Sequence, residues 1–576
     1  MELGLYGVIA ITLMVAAAAF SKRLGVAAPI LLVAAGVTLS YMPGMPAINL
    51  PSEIVLDGLL PPILYAAAIS VPIVDFRRNL RTITSLSVVM VIFTAFAVGS
   101  LLYMLLPDLN FAAAVALGAI ISPPDAVAAT SVGRRLGLPP RILTVLEGEG
   151  LVNDATALVL MRSAVAVAAG GIISPWAGVV DFVFAVAFGA GIGLAAGFIT
   201  VFVRSKLHDP VLDTAISLVV PFVAFLPAEN IHASGVLAVV VAGLYTGHAS
   251  PSVFGAQSRI SDRINWRTVQ FLLENGVFLL IGLEIRTLIE NVAPGTISAG
   301  SAMLLGLFVT VALIVLRFLW VGPMVFNLHR RAHRSEKKIL KLWLLLGYMR
   351  TRSSPSRRMT RQGIRAEKIY ARRRSDLTQL RDEGIDWRGG IVLGWSGMRG
   401  VVTLAAAQSL PENTPYREQL ILIAFTVAVT TLIVQGGTLP LVIRLLGIRG
   451  VDEARDREQL ATLLDEMSFE GLAVLADPAS AIDQGDKIDP DVVERVRQSS
   501  FLRSESAWER ANDVGANPGE TPHRVYRELR LAVVDAERQS LLDARGRGAY
   551  PSRILSQAQA MLDLEETRLR PPRADH

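Results

Sequence analysis

The chain has 576 residues, of which 52% are hydrophobic and only 18% charged, with a formal net charge of +5. A soluble protein is nearer a quarter charged and at this length divides into several domains, so a wholly soluble architecture is excluded. The absence of cysteine removes disulfides, thiolate catalysis and thiolate metal sites.

The first residues, MELGLYG, lack a basic region, so the first apolar run reads as a retained span and not a cleaved signal. A helix crosses the hydrocarbon layer with about 20 apolar residues. On that measure about 13 spans are predicted, at 3–20, 27–43, 54–73, 84–107, 111–131, 141–169, 176–203, 210–227, 233–247, 268–286, 298–326, 390–411 and 418–445. Alternate loops are basic: Lys22 and Arg23; Arg77, Arg78 and Arg81; Arg134, Arg135 and Arg141; Arg204 and Lys206; Arg259, Arg263 and Arg267. The loops between them carry almost no basic residues, Arg286 and Arg417 excepted. Positive loops stay cytoplasmic, which puts the N-terminus outside and the C-terminus inside.

The chain thus divides into a transmembrane domain, 1–447, and a polar region, 448–576. The last cytoplasmic loop, 327–389, is a basic insertion around an apolar patch, Ile339 to Met349, too short to span. That patch reads as an interfacial or buried helix, and the basic run after it either holds anionic membrane lipids or is a charged disordered loop. Nothing else supports a nucleic-acid role. In the polar region, apolar residues recur at helical spacing, as in Leu529, Val533 and Val534, and Thr521-Pro522 has the form of a helix start. A cytoplasmic helical bundle with a regulatory or dimerising role is expected there.

Two predicted spans break helical logic. In AIISPPDAVAATS, Pro123 and Pro124 remove backbone donors between Ser122 and Asp125; in LGWSGMRGVVTLAAA, Gly394, Gly397 and Gly400 surround Ser396 and Arg399. Non-helical backbone at membrane depth is tolerated where it is buried in protein or lines a cavity. Two interrupted helices at matching places in two halves point to an inverted-repeat transporter with its site between them. Half-helix ends carry partial charges, which Asp125 and Arg399 are placed to balance.

Between the breaks lies LEGEGLVNDATALVLMRSAV, with Glu147, Glu149, Asp154 and Arg162 in an otherwise apolar run. Intramembrane ionisable residues face a bundle interior or a water path. Burial penalises a carboxylate unless a proton or a cation compensates it, so Asp154 can hold one or the other, which couples opposite fluxes. Ser122 and the freed carbonyls are oxygen ligands suited to Na⁺. Arg317, deep in its span, needs an anion, and Glu149 is the candidate, a scaffold pair. Glu147 and Arg162 bracket the same helix. Glu274 and Asn275 are further intramembrane polar groups. Seven histidines show no ligand spacing, and no phosphate loop or nucleophile elbow is present, so neither an enzyme nor an ATP-driven pump is expected and no resident cofactor is implied.

The segments LPPILYAAAI (60–69), SPPDAVAATSVGRRLGLP (122–139), EGEGLVNDATALVL (147–160), SGVLAVVVAGL (234–244), FLLENGVFLLIGL (271–283) and WSGMRGVVTLAAA (395–407) resemble the monovalent cation:proton antiporter-1 family of sodium/proton antiporters. The resemblance implies a homodimer with a moving core domain and an elevator-like alternating-access cycle. It implies Asp154 as the ion-binding aspartate, Asn153 as the preceding asparagine of electroneutral members, Glu149 and Arg317 as a buried pair, and Arg399 as the arginine of the second crossing. Where the family often has Thr-Asp-Pro, this chain has Ser122, Pro123 and Pro124, with its carboxylate at Asp125. Ala66 replaces an acidic residue, and Gly150 replaces a serine that could have been a ligand. The expectation is Na⁺/H⁺ exchange in a plasma membrane, serving pH and sodium homeostasis, with Asp154, Asn153, Ser122 and Asp125 as the cation/proton site. K⁺ or Li⁺ as the cation, a cation channel and a transporter-derived sensor are the alternatives.

Overall fold

Backbone amides in hydrocarbon find no water, so an apolar chain of this kind satisfies them within helices. In the computed structural model, residues 2–24, 27–43, 51–170, 175–207, 209–292, 297–350 and 385–448 are described, with 530–539 and scattered positions beyond. No strand occurs among them. The helices are α1 (Glu2–Leu24), α2 (Ala28–Ser40), α3 (Leu60–Ser70), α4 (Ile73–Thr84), α5 (Val91–Leu105), α6 (Phe111–Ile121), α7 (Ala126–Arg135), α8 (Pro140–Ala168) and α9 (Pro175–Arg204). They continue as α10 (Pro210–Asn230), α11 (Gly235–Val253), α12 (Ala256–Asn291), α13 (Ala299–Arg350), α14 (Trp387–Trp395), α15 (Val401–Gln408), α16 (Arg417–Thr431) and α17 (Gly437–Leu446). Wide π turns lead into α3 (Ile54–Leu59), into α5 (Ser85–Met90) and into α17 (Leu432–Gly436).

Among the described residues, nine helical stretches are long and apolar enough to cross a membrane. The other predicted ranges fall on the short apolar helices Ala28–Ser40 and Ile54–Ser70, on α12, and on the interrupted pair α14 and α15. The predicted span 298–326 does not stop at its membrane-length limit. Helix α13 runs unbroken to Arg350, so the patch Ile339–Met349 continues that helix and is not a separate one. The remainder of the basic insertion, 351–384, lies outside the described residues.

The helices of residues 1–448 pack as two panels. In one, α2 lies along α12, α9 along α11, and α3 and α10 join these pairs. In the other, α6 packs on α5 and α8, while α13 packs on α14 and α16. Helix α8 sits at the seam, touching α3, α9 and α11 of the first panel. The basic loops are also tied together. Arg135 donates to the Ser21 carbonyl and hydroxyl at 3.4 and 3.3 Å, and Arg141 donates to Asn79 Oδ1 at 3.0 Å.

Residues Arg449–His576 form a second compact unit. Within it the helical segment 530–539 buries Val534. Arg530 and Arg538 of this segment pair with Glu565 and Glu566 at 2.6 and 2.5 Å.

Candidate ion-binding site

Pro123 and Pro124 cannot donate backbone bonds, and the helix stops where they say: α6 ends at Ile121 and α7 begins at Ala126. The glycine-rich stretch does the same between α14 and α15, leaving Ser396–Gly400 non-helical. The two breaks are in contact. The Asp125 backbone N–H donates to the Met398 carbonyl at 2.6 Å.

Each break leaves orphan carbonyls at one half-helix end and orphan amides at the other. Arg399, 2% exposed, reaches from the second break to the first. Its Nε donates to the Ile121 carbonyl at 2.9 Å and its Nη2 to the Ser122 carbonyl at 3.2 Å. It also donates to the carbonyl of Gly397. Its own amide is held by Thr431 Oγ1 at 2.9 Å. Asp125 serves the opposite ends. Its Oδ1 accepts from the Val127 amide at 2.8 Å, capping α7. Its other carboxylate oxygen lies against Gly400, the residue that opens α15; a β-carbon there would be 2.5 Å from Asp125 Oδ2. One carboxylate thus faces two helix N-termini and one guanidinium covers a C-terminus, the arrangement the partial charges favour.

Helix α8 docks on this crossing. Asn153, fully buried, donates from Nδ2 to the Pro124 carbonyl at 2.7 Å, binding α8 to a carbonyl the prolines cannot pair. Gly150 permits the approach, since a β-carbon there would lie 2.5 Å from the Ala126 β-carbon. The missing serine at this position therefore has a packing reason. Asp154 follows Asn153, half-buried, with Asp125 as its electrostatic neighbour. Among the described residues its carboxylate makes no hydrogen bond or ion pair. Ser122, also buried, donates its hydroxyl to the Ala119 carbonyl at 2.9 Å.

Five residues before Asp154, Glu149 meets Arg317 in a two-pronged pair at 2.6 and 2.9 Å, both residues 1% exposed. Arg317 Nε donates to the Leu393 carbonyl at 2.9 Å, so the pair also supports α14 above the second break. Glu147 pairs with Arg134 of α7, and Arg162 with Glu229 of α10 at 2.6 Å. Neither touches the crossing. Glu274 accepts from Gln270 at 2.7 Å, and Asn275 donates back to the Phe271 carbonyl at 2.7 Å.

Three groups near the crossing keep polar atoms with no partner among the described residues: Asn153 Oδ1, Ser396 Oγ and both amide atoms of Gln435. Thr431 and Gln435 were not singled out from the sequence. The available signal was their polarity within an apolar span, together with the π turn Leu432–Gly436 that contains Gln435; such turns are frequent at functional sites.

Residues 9–445 match the family described as sodium/hydrogen exchanger, transmembrane. An uncharacterized Na(+)/H(+) exchanger of Mycobacterium tuberculosis is 30% identical over 98% of this chain and 97% of its own length. A sodium, potassium, lithium and rubidium/H(+) antiporter of Bacillus pumilus is 27% identical over 72% of this chain and 57% of its own. Among solved structures, the sodium proton antiporter MjNhaP1 of Methanocaldococcus jannaschii superposes with a TM-score of 0.55, covering 78% of this chain and all of that one at 18% identity, which speaks to the fold.

Proposed function

The chain belongs to the sodium/hydrogen exchanger family, a family of transporters and not of enzymes, and from that premise we propose that it exchanges Na⁺ for H⁺ at Asp154 by alternating access. The observation that carries this reading is the contrast among the charged groups around the breaks. Glu149 and Arg317 neutralise each other, Arg399 is spent on carbonyls, and Asp125 accepts from a helix N-terminus. Asp154 has no such commitment among the described residues, so its charge is left for a proton or a cation to balance. Even half-buried, a bare carboxylate inside an apolar bundle is penalised for the water it has lost. Binding a cation therefore requires releasing the proton, and the reverse, which is the coupling an antiporter needs.

The supporting parts follow from their contacts. Asn153 fixes the position of α8 against the first break and carries no charge, so exchange of one Na⁺ for one H⁺ moves no net charge. Its free Oδ1, with Ser122 and carbonyls released by the break, supplies neutral oxygen around Asp154. Alternating exposure is a movement of the panel holding α6–α8 and α13–α16 against the panel holding α2, α3 and α9–α12, with α8 at the seam. We take the working form to be a homodimer in the plasma membrane, with 13 crossings, the N-terminus outside and the region after residue 448 cytoplasmic, serving pH and sodium homeostasis. The Bacillus pumilus relative's name includes potassium, which supports K⁺/H⁺ exchange as the second reading.

The test is dye-reported proton flux in proteoliposomes driven by Na⁺, Li⁺ or K⁺ gradients, with and without a clamped membrane potential. Asp154→Asn is expected to abolish cation-driven flux while the protein still inserts and purifies as wild type. Normal flux from that variant would refute the site assignment, and wild-type flux that scales with the imposed potential would refute one-for-one exchange.

A further inference from the structure

A second buried charge cluster lies away from the crossing, where the C-terminus of α9 meets the N-termini of α10 and α12. Arg204 is its centre, with a side chain fully buried and stacked 4.2 Å from the centre of the Phe254 ring. It grips Asp213 with two bonds, from Nε at 2.7 Å and Nη2 at 2.8 Å. It reaches Asp262 Oδ2 at 2.9 Å and the Ser217 hydroxyl at 3.3 Å. Trp266 Nε1 donates to the same Ser217 oxygen at 2.8 Å. The Trp266 ring packs 4.9 Å from that of Tyr65, and the Tyr65 hydroxyl has Ser217 and Thr246 beside it.

The charges of this cluster do not cancel. One guanidinium faces two carboxylates, and it donates to Asp213, to one oxygen of Asp262 and to Ser217. The other oxygen, Asp262 Oδ1, is buried without a partner among the described residues. The hydroxyls of Tyr65 and Thr246 lie beside one another but make no hydrogen bond of normal geometry among the described residues; both residues have no exposed surface, while Asp262 is 6% exposed. Water would satisfy the hydroxyls but leave the extra negative charge in a low-dielectric interior, which is costly.

We propose that this cluster is a second cation site, in which Asp262 Oδ1 and the hydroxyls of Tyr65 and Thr246 hold one monovalent cation that is not transported. Carboxylate and hydroxyl oxygens suit hard cations. A single positive charge completes the balance, whereas a divalent ion would overshoot it. The ligands come from α3, α11 and α12, and Arg204 and Asp213 bring in α9 and α10, so the cation clasps five of the six helices of that panel, α2 being the exception. None of these helices contributes a residue to either break, so the bound ion stabilises the panel against which the crossing works.

The test separates this site from Asp154 by using full-length Asp154→Asn protein, purified in detergent and exchanged into choline chloride. Radiolabelled Na⁺ binding and thermal melting are then followed against added NaCl or KCl. The proposal expects Asp154→Asn to keep one saturable site and a cation-dependent rise in melting temperature, and Asp154→Asn/Asp262→Asn to lose both. Thr246→Val, which keeps the shape of the side chain, is expected to raise the half-saturating concentration about tenfold in the Asp154→Asn background, the cost of one lost charge-assisted ligand, so the idea stays open to refutation even if the Asp262 variant folds poorly. A lower half-saturation for Na⁺ or for K⁺ identifies the occupant. Melting that ignores both salts, the result if Asp262 carries a proton, would overturn the proposal, as would binding that survives Asp262→Asn unchanged. Since the readout is binding and stability, neither outcome depends on whether Asp154 is the exchange site.

Discussion

The Glu149–Arg317 pair can be tested as scaffold by a double-mutant cycle. Arg317→Leu removes a guanidinium that makes two bonds to the carboxylate and a third to the Leu393 carbonyl, at 2.6, 2.9 and 2.9 Å. Glu149 is then left as a charge on a residue 1% exposed, and the other bond recorded there, from Ser87, goes to its backbone carbonyl and not its carboxylate. Stranding one partner of a buried pair costs about 3–5 kcal/mol. Glu149→Gln strands Arg317 with a comparable penalty. Removing both leaves neither charge of the pair stranded, so the double variant Glu149→Gln/Arg317→Leu is expected to recover at least about 2 kcal/mol relative to the sum of the singles, although the Leu393 carbonyl still loses its donor. The measurement is the melting temperature of purified protein, followed by proton flux in proteoliposomes. The singles should melt well below wild type, while the double melts between them and wild type and retains cation-driven flux. Strictly additive losses, or a stable double variant with no flux, would refute the scaffold role.

Three further expectations concern the crossing. Gly400→Ala places a methyl 2.5 Å from Asp125 Oδ2; the overpacking costs about 1–3 kcal/mol, and flux measured in proteoliposomes should fall at least tenfold while insertion persists. At Asp125, asparagine caps a helix about as well as aspartate whereas alanine loses about 0.5–2 kcal/mol, so Asp125→Asn should melt close to wild type and Asp125→Ala lower; equal melting would show that the cap bond to Val127 carries little. Competition at Asp154 predicts that the apparent KM for Na⁺ rises as pH falls, approaching about tenfold per pH unit in the acidic range because one proton is displaced per cation. A pH-independent KM, with only the maximal rate titrating, would argue against a shared site.

The interruptions in two apolar spans were legible in the sequence, because proline and clustered glycine act on the backbone locally. Pro123 and Pro124 stop α6 whatever surrounds them, and Gly397 and Gly400 mark the gap between α14 and α15. The existence of buried charges was equally legible, since Asp154, Glu149, Arg317 and Arg399 stand out against apolar neighbours. Their partners were less so. Arg399 was placed near its own break, yet its guanidinium also reaches two carbonyls of the other break, 278 and 277 residues away. Gly150 was read as a lost ligand, and its fit against Ala126 depends on how α8 lies on α7, which no local pattern contains. The Arg204 cluster was seen only as a basic loop, because its second carboxylate, Asp262, is 58 residues distant.

By itself, then, the sequence determined which segments are apolar enough for a membrane, where two of them break, and which side chains are too polar to sit in lipid unaccompanied. Those properties belong to single residues and their near neighbours, where composition and backbone chemistry decide. The tertiary structure decided how each charge is compensated: Arg399 and Asp125 by opposite helix ends, Glu149 by Arg317, Asp213 by Arg204. Compensation is a matter of distances of about 3 Å between groups far apart in the chain, and only packing sets those. Among the described residues, Asp154 and Asp262 Oδ1 are set apart by what packing left them without, and they are the positions at which we propose that a cation binds.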